Sequence, residues 1–86
     1  MSVTDLKYVV GMYRTDWDDL VEVAILFPGY VTHSKVARLF YQVTGAGFYS
    51  HHRGDHVKVF GKSESLGGLQ SKERDVEFIE KALGIS

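Results

Sequence analysis

The side chains able to do chemistry in this 86-residue chain lie in two stretches. One is Thr32-His33-Ser34. The other runs from Gly45 to Gly68 and holds the other three histidines, Arg53-Gly54-Asp55 and Gly61-Lys62-Ser63-Glu64-Ser65. Gly61-Lys62-Ser63 is the end of a phosphate-binding P-loop signature. That signature needs a glycine where this chain has His56, and its Lys and Ser must open a helix. Here the triplet follows an expected strand and precedes a loop, so no nucleotide P-loop is expected. Two readings remain. Lys62, Ser63 and Ser65 could form an anion nest with backbone N–H groups near Gly67 and Gly68. The simpler reading is a hydrogen-bonded turn leading into a capped helix.

His51, His52 and His56 have ligand chemistry, but His51 and His52 point to opposite faces if the strand continues. Asp55 is the only nearby carboxylate, and metal ligands usually come with ordered partners of their own. A solvated loop is expected instead. His33 is expected to be structural. Arg53-Gly54-Asp55 matches the integrin-binding triplet but reads as turn chemistry, with Gly54 free to take a positive φ. Asp16, Asp18 and Asp19 resemble half a calcium loop without its glycine and closing glutamate. Ser34 beside His33, and Ser63 beside Glu64, lack a nucleophile elbow and an orienting third group. Without cysteine, disulfides, thiolate zinc sites and Cys nucleophiles are impossible. No catalytic, cofactor-binding or metal-ligating residue is assigned, and no cofactor is expected.

The elements that must position these groups fit one domain over residues 1–86. A chain of this length buries only roughly 60–65% of the surface its unfolded form exposes. Eleven aromatics among 44% hydrophobic residues supply a core. The net charge of −1 argues against a strong phosphate-backbone binder and eases self-association. The opening Met-Ser-Val-Thr-Asp-Leu-Lys is unlike a signal peptide, and no apolar run nears the ~20 residues of a membrane helix. The expectation is a cytoplasmic bacterial or phage protein with no membrane partner.

Leu6–Tyr13 alternates as a strand, with Tyr8, Val10 and Met12 on the buried face. Gly11 marks a bulge or a close backbone approach. Arg14–Asp19 is a hairpin loop, or else the Thr15-capped first turn of a helix. In Leu20–Phe27, Val21, Val23, Ile25 and Phe27 alternate with Leu20, Glu22, Ala24 and Leu26, which favours a strand over a helix spanning Asp16–Leu26. Pro28-Gly29 ends it. Thr32 is an N-cap, and Val31 and Val36 form a hydrophobic staple. Val36, Leu39, Phe40 and Val43 recur at helical spacing, so a helix over His33–Val43 ending at Gly45 is expected. Ala46–Ser50 and His56–Phe60 are strands around the His51–Asp55 loop, and Gly61–Gln70 is a loop. Ser71 caps a last helix with Val76, Ile79 and Leu83 as its apolar stripe and Gly84 beyond its end.

The order β-β-α-β-β-α predicts an α+β fold: a four-stranded, mainly antiparallel sheet with two helices packed on one face. The other face, carrying Lys7, Tyr13 and Glu22, would be partly open. Several aromatics cannot fit so small a core. Trp17, with Tyr13 nearby, is a candidate interface anchor or a lid over the open end of the core.

Three segments, Phe27–Arg38 (FPGYVTHSKVAR), Gly45–Phe48 (GAGF) and Val59–Gly67 (VFGKSESLG), together resemble a family of small bacterial and prophage-type proteins classed as a domain of unknown function. The resemblance implies a self-contained accessory domain and no catalytic residue. It directs attention to His33, Ser34, Lys62, Ser63, Glu64 and Ser65 as a functional surface. Three functions are weighed. The first is a non-enzymatic interaction or regulatory module acting on a protein partner or a second copy of itself. The second is nucleic-acid binding through Arg53, Lys58, Lys62 and the histidines with Tyr49 stacking. The third is a small anion-binding or enzymatic domain, which requires the His33–Ser34 and Lys62–Ser65 segments to meet.

Overall fold

The computed structural model describes residues 6–51 and 56–85. The elements are β1 (Leu6–Arg14), β2 (Leu20–Pro28), α1 (His33–Ala37), β3 (Gln42–Ser50), β4 (Lys58–Phe60), β5 (Lys62–Ser63), a 3-10 turn (Glu64–Leu66), β6 (Leu69–Gln70) and α2 (Asp75–Leu83). β1 and β2 form a hairpin in continuous register from Leu6 opposite Pro28 to Arg14 opposite Leu20. The segment before Pro28 is therefore extended, as its alternation predicts. Thr15 closes the turn. Its Oγ1 accepts the N–H groups of Trp17 and Asp19 at 3.3 and 3.2 Å, and Asp18 takes the left-handed conformation. β3 and then β4 add antiparallel strands, giving the order β2-β1-β3-β4. The α+β class with a four-stranded antiparallel sheet holds.

The helices do not share a face. Tyr8 and Val10 pack with Tyr49, Val57 and Ile79 of α2. Val9, pointing the other way, packs with Phe27, Ala46 and Val36 of α1. Each helix covers its own side, so Tyr8, Val9 and Val10 are all fully buried. The Lys7 face is closed by α1 around Val9 and Ala46 but stays open at Tyr13, Val21 and Val23, so it is partly open as expected; Glu22 lies on the opposite face, beside α2. The expectation of one covered face treated Val9 as the exposed partner in an alternation. A run of apolar residues marks a strand buried on both sides.

α1 is also shorter than its periodicity suggests. It stops at Ala37, Leu39 is exposed, and Val43 and Gly45 belong to β3. The chain leaves the helix early because the Tyr41 N–H already donates to the Met12 carbonyl at 2.7 Å, starting the β1–β3 ladder. Thr32 is the N-cap residue but its hydroxyl makes no cap bond. The staple stands, with Val31 and Val36 in one cluster.

Gly11 marks both expected features. The β1–β3 register shifts between Val10 and Gly11, leaving Thr44 as the extra residue. A Cβ on Gly11 would sit 2.6 Å from the Gln42 carbonyl oxygen and 2.7 Å from the Phe40 ring. The Gly61–Gln70 segment is not simply a loop, since β5 and β6 pair as a small ribbon around the 3-10 turn. α2 begins at Asp75, four residues after Ser71, with no side-chain cap. It ends as expected, where the Gly84 and Ile85 N–H groups return to the Lys81 and Glu80 carbonyls. No helix among the described residues is long and apolar enough to cross a membrane.

Candidate functional site

Two of the expected segments meet. The Ser34 N–H donates to Ser65 Oγ at 3.2 Å, and Ser65 Oγ lies 3.3 Å from Ser63 Oγ. This joins the first turn of α1 to the 3-10 turn after β5. Beside the junction is a cleft of about 300 Å³ whose walls include Lys7, His33, Phe48, Lys62, Glu64 and Ser65.

His33 is the rear wall and is only 4% exposed. Its Nε2 is 2.8 Å from the Gly47 carbonyl oxygen, which can only accept, so Nε2 carries the proton. Phe27 and Phe48 meet the imidazole edge-on at 5.5 and 5.6 Å between centroids. Burial lowers its pKa. The Gly47 bond acts the other way, and the Lys7 ammonium adds to the lowering. The ring is thus held neutral in one tautomer. The bond that fixes His33 spans fourteen residues of chain.

Lys7 is equally fixed. Its Nζ donates to the Val31 carbonyl at 3.0 Å and sits 5.7 Å from the centroid of the Phe48 ring. Neither Lys7 nor Phe48 was singled out from sequence. They meet because Lys7 pairs with Phe48 in the β1–β3 register, a pairing that alternation within one strand does not reveal.

The remaining residues divide. Lys62, Glu64 and Ser65 are exposed at the cleft, whereas Ser63 is fully buried beneath it. The Gly67 and Gly68 N–H groups donate to the Glu64 and Ser63 carbonyls at 3.2 and 2.9 Å. They close a turn rather than an anion nest. His33 bonds to Gly47 and not to Ser34, so the two form no nucleophile pair. Tyr49 is buried against Tyr8, at 6.5 Å between ring centroids, and offers no stacking face. The expected Arg53-Gly54-Asp55 turn and His52 lie outside the described residues.

A second surface lies at the other end of the sheet. Trp17 is 87% exposed at the tip of the β1–β2 turn, so it is no lid over the core. Tyr13, Val21 and Val23 are exposed on the α1 side of the hairpin, with Tyr13 opposite Val21. β2 is an edge strand nine residues long. Apart from the Val31 N–H to the Pro28 carbonyl, no backbone hydrogen bond among the described residues engages its outer side. Its one charge, Glu22, is turned inward, accepting from Thr44 Oγ1 at 2.6 Å and from Arg74 at 2.9 Å.

Comparison of the chain with protein-family models, with curated proteins and with solved structures gives no match.

Proposed function

We propose that the chain is a small cytoplasmic interaction module, of the prophage type its three segments resemble, and that its partner is a second copy of itself joined through β2. One observation carries this reading: a long edge strand whose outer backbone groups, the Pro28 carbonyl apart, have no hydrogen-bond partner among the described residues, and which has no guard between Leu20 and Phe27. Edge strands are normally blunted by outward charges, proline or a covering element. The proline of β2 stands only at its last residue, Pro28, and the one charge of the strand is engaged on the α2 side. Exposed Val21 and Val23 flank it, with Tyr13 and Trp17 beside them. Antiparallel pairing of β2 with its copy is isologous: the same patch serves both partners and the assembly closes at two. A net charge of −1 opposes the approach of two copies only weakly.

Sedimentation velocity from low micromolar to submillimolar protein tests it. A concentration-dependent dimer is expected. Val23→Lys, which places a charge on the edge, returns it to monomer while leaving the circular dichroism spectrum unchanged. A wild-type chain monomeric throughout overturns the proposal, as does a dimer indifferent to Val23→Lys.

A further inference from the structure

We infer that the cleft between α1 and the β5 turn binds a small oxyanion, a carboxylate or phosphoryl group, between the Lys7 and Lys62 ammoniums and the Ser65 hydroxyl. Its volume, about 300 Å³, stands at the lower end of the range of small-ligand pockets. Two lysines face one glutamate there, so the cleft carries a net positive charge in a chain whose total is −1.

The walls are pre-organised. The Val31 carbonyl and the Phe48 ring hold the Lys7 ammonium. The Ser34 N–H fixes Ser65 Oγ. The Gly47 carbonyl and two aromatic edges lock His33. Groups ordered before the ligand arrives lower the entropic cost of binding it. His33 also supplies a second ring nitrogen. With Nε2 donating to Gly47, Nδ1 is a bare acceptor, and it has no hydrogen bond among the described residues. It suits a hydroxyl on the ligand, such as the P–OH of a phosphate monoanion. Phe48, with the Lys7 ammonium over its ring and Phe60 stacked on it at 5.8 Å between centroids, gives the cleft a fixed apolar wall. Glu64 opposes a dianion and sets a preference for a single negative charge.

The site does not depend on β2 pairing. It lies on the β3 and β5 side of the sheet, and its readout is separate from oligomeric state.

The test is a titration of ¹⁵N-labelled protein, followed by NMR, with inorganic phosphate in one arm and benzoate in the other, at ionic strength matched with sodium chloride. The expected result is saturable, millimolar binding of at least one probe, with shifts at His33, Phe48, Lys62 and Ser65. Which arm responds separates phosphoryl from carboxylate ligands. Lys62→Ala weakens binding about tenfold, the loss of one charge-assisted contact. Glu64→Gln strengthens it, and Lys81→Ala on α2 changes nothing. A purely structural cluster would not give opposite signs at Lys62 and Glu64. Shifts that fail to saturate for both probes, or that survive in the Lys7→Ala, Lys62→Ala double variant, overturn the inference.

Discussion

The Tyr8 hydroxyl donates a 2.6 Å hydrogen bond to Asp75 Oδ2 across 67 residues of chain, inside the layer between the sheet and α2. Both side chains are fully buried. The Lys72 N–H donates to the same oxygen at 3.0 Å, so Asp75 fastens both the central strand and the segment entering α2. Oδ1 has no partner among the described residues. β3 makes room for the carboxylate at Gly45, where a Cβ would lie 2.7 Å from each of its oxygens.

Tyr8→Phe keeps the ring but removes the donor. It is expected to cost about 1–3 kcal/mol, the range for leaving a buried polar group unsatisfied. Burial, and then Asp75, raise the Tyr8 pKa far above that of a free phenol. Above about pH 10 the unfolded chain loses this proton and the folded chain keeps it, so stability falls as pH rises through that point. Urea unfolding on either side of pH 10 should show the fall, and show it reduced in Tyr8→Phe.

Gly45→Ala should destabilise by about 1–3 kcal/mol, the usual result of overpacking a tight site. Asp75 cannot swing aside without losing Tyr8 and Lys72. A thermal or urea midpoint equal to wild type would contradict this contact.

His33 gives the acid side its slope. Its pKa is lowered in the folded state, chiefly by burial. Below about pH 6.5 the unfolded chain takes up a proton that the folded chain refuses, so stability declines as pH falls through that value. Glu22, held below its ordinary value by the Thr44 hydroxyl and Arg74, adds a second loss further down, in the carboxylate range. His33→Phe should remove the first step and leave the second. Denaturant midpoints against pH would resolve the two.

Trp17, the one tryptophan of the chain, reports on the hairpin tip. Dilute protein should show the emission of a water-exposed indole, open to iodide quenching. Trp17→Ala should change stability by no more than about 0.5 kcal/mol, as for surface positions lacking buried contacts. A blue shift on concentrating the wild type, absent in Val23→Lys, would tie the indole to β2 pairing.

Ile79 fills the centre of the α2 face with no exposure. Ile79→Ala is expected to cost about 2–5 kcal/mol through lost burial and the cavity left behind. Leu39→Ala, at a residue given the same helical spacing by sequence but exposed in the fold, should cost far less. The contrast in urea midpoints checks the early end of α1.

The strand pair around Trp17, the stop at Pro28, the bulge at Gly11 and the Gly84 cap are legible in sequence because each rests on neighbouring residues. Alternation, a turn and a left-handed glycine are local properties. The resemblance also names His33, Ser34, Lys62, Ser63, Glu64 and Ser65 as one candidate surface, though not Lys7, which meets Phe48 through a β1–β3 register spanning some forty residues. Tertiary structure decided the rest. Val36 to Val43 carries a helix-like pattern, but the carbonyl of Met12 captures the chain at Tyr41 and extends it. Tyr8, Val9 and Val10 are apolar on both faces, so period-two reasoning could not say which side a helix covers. That choice belonged to long-range packing, with Val36 settling on Val9 and Ile79 on Tyr8 and Val10.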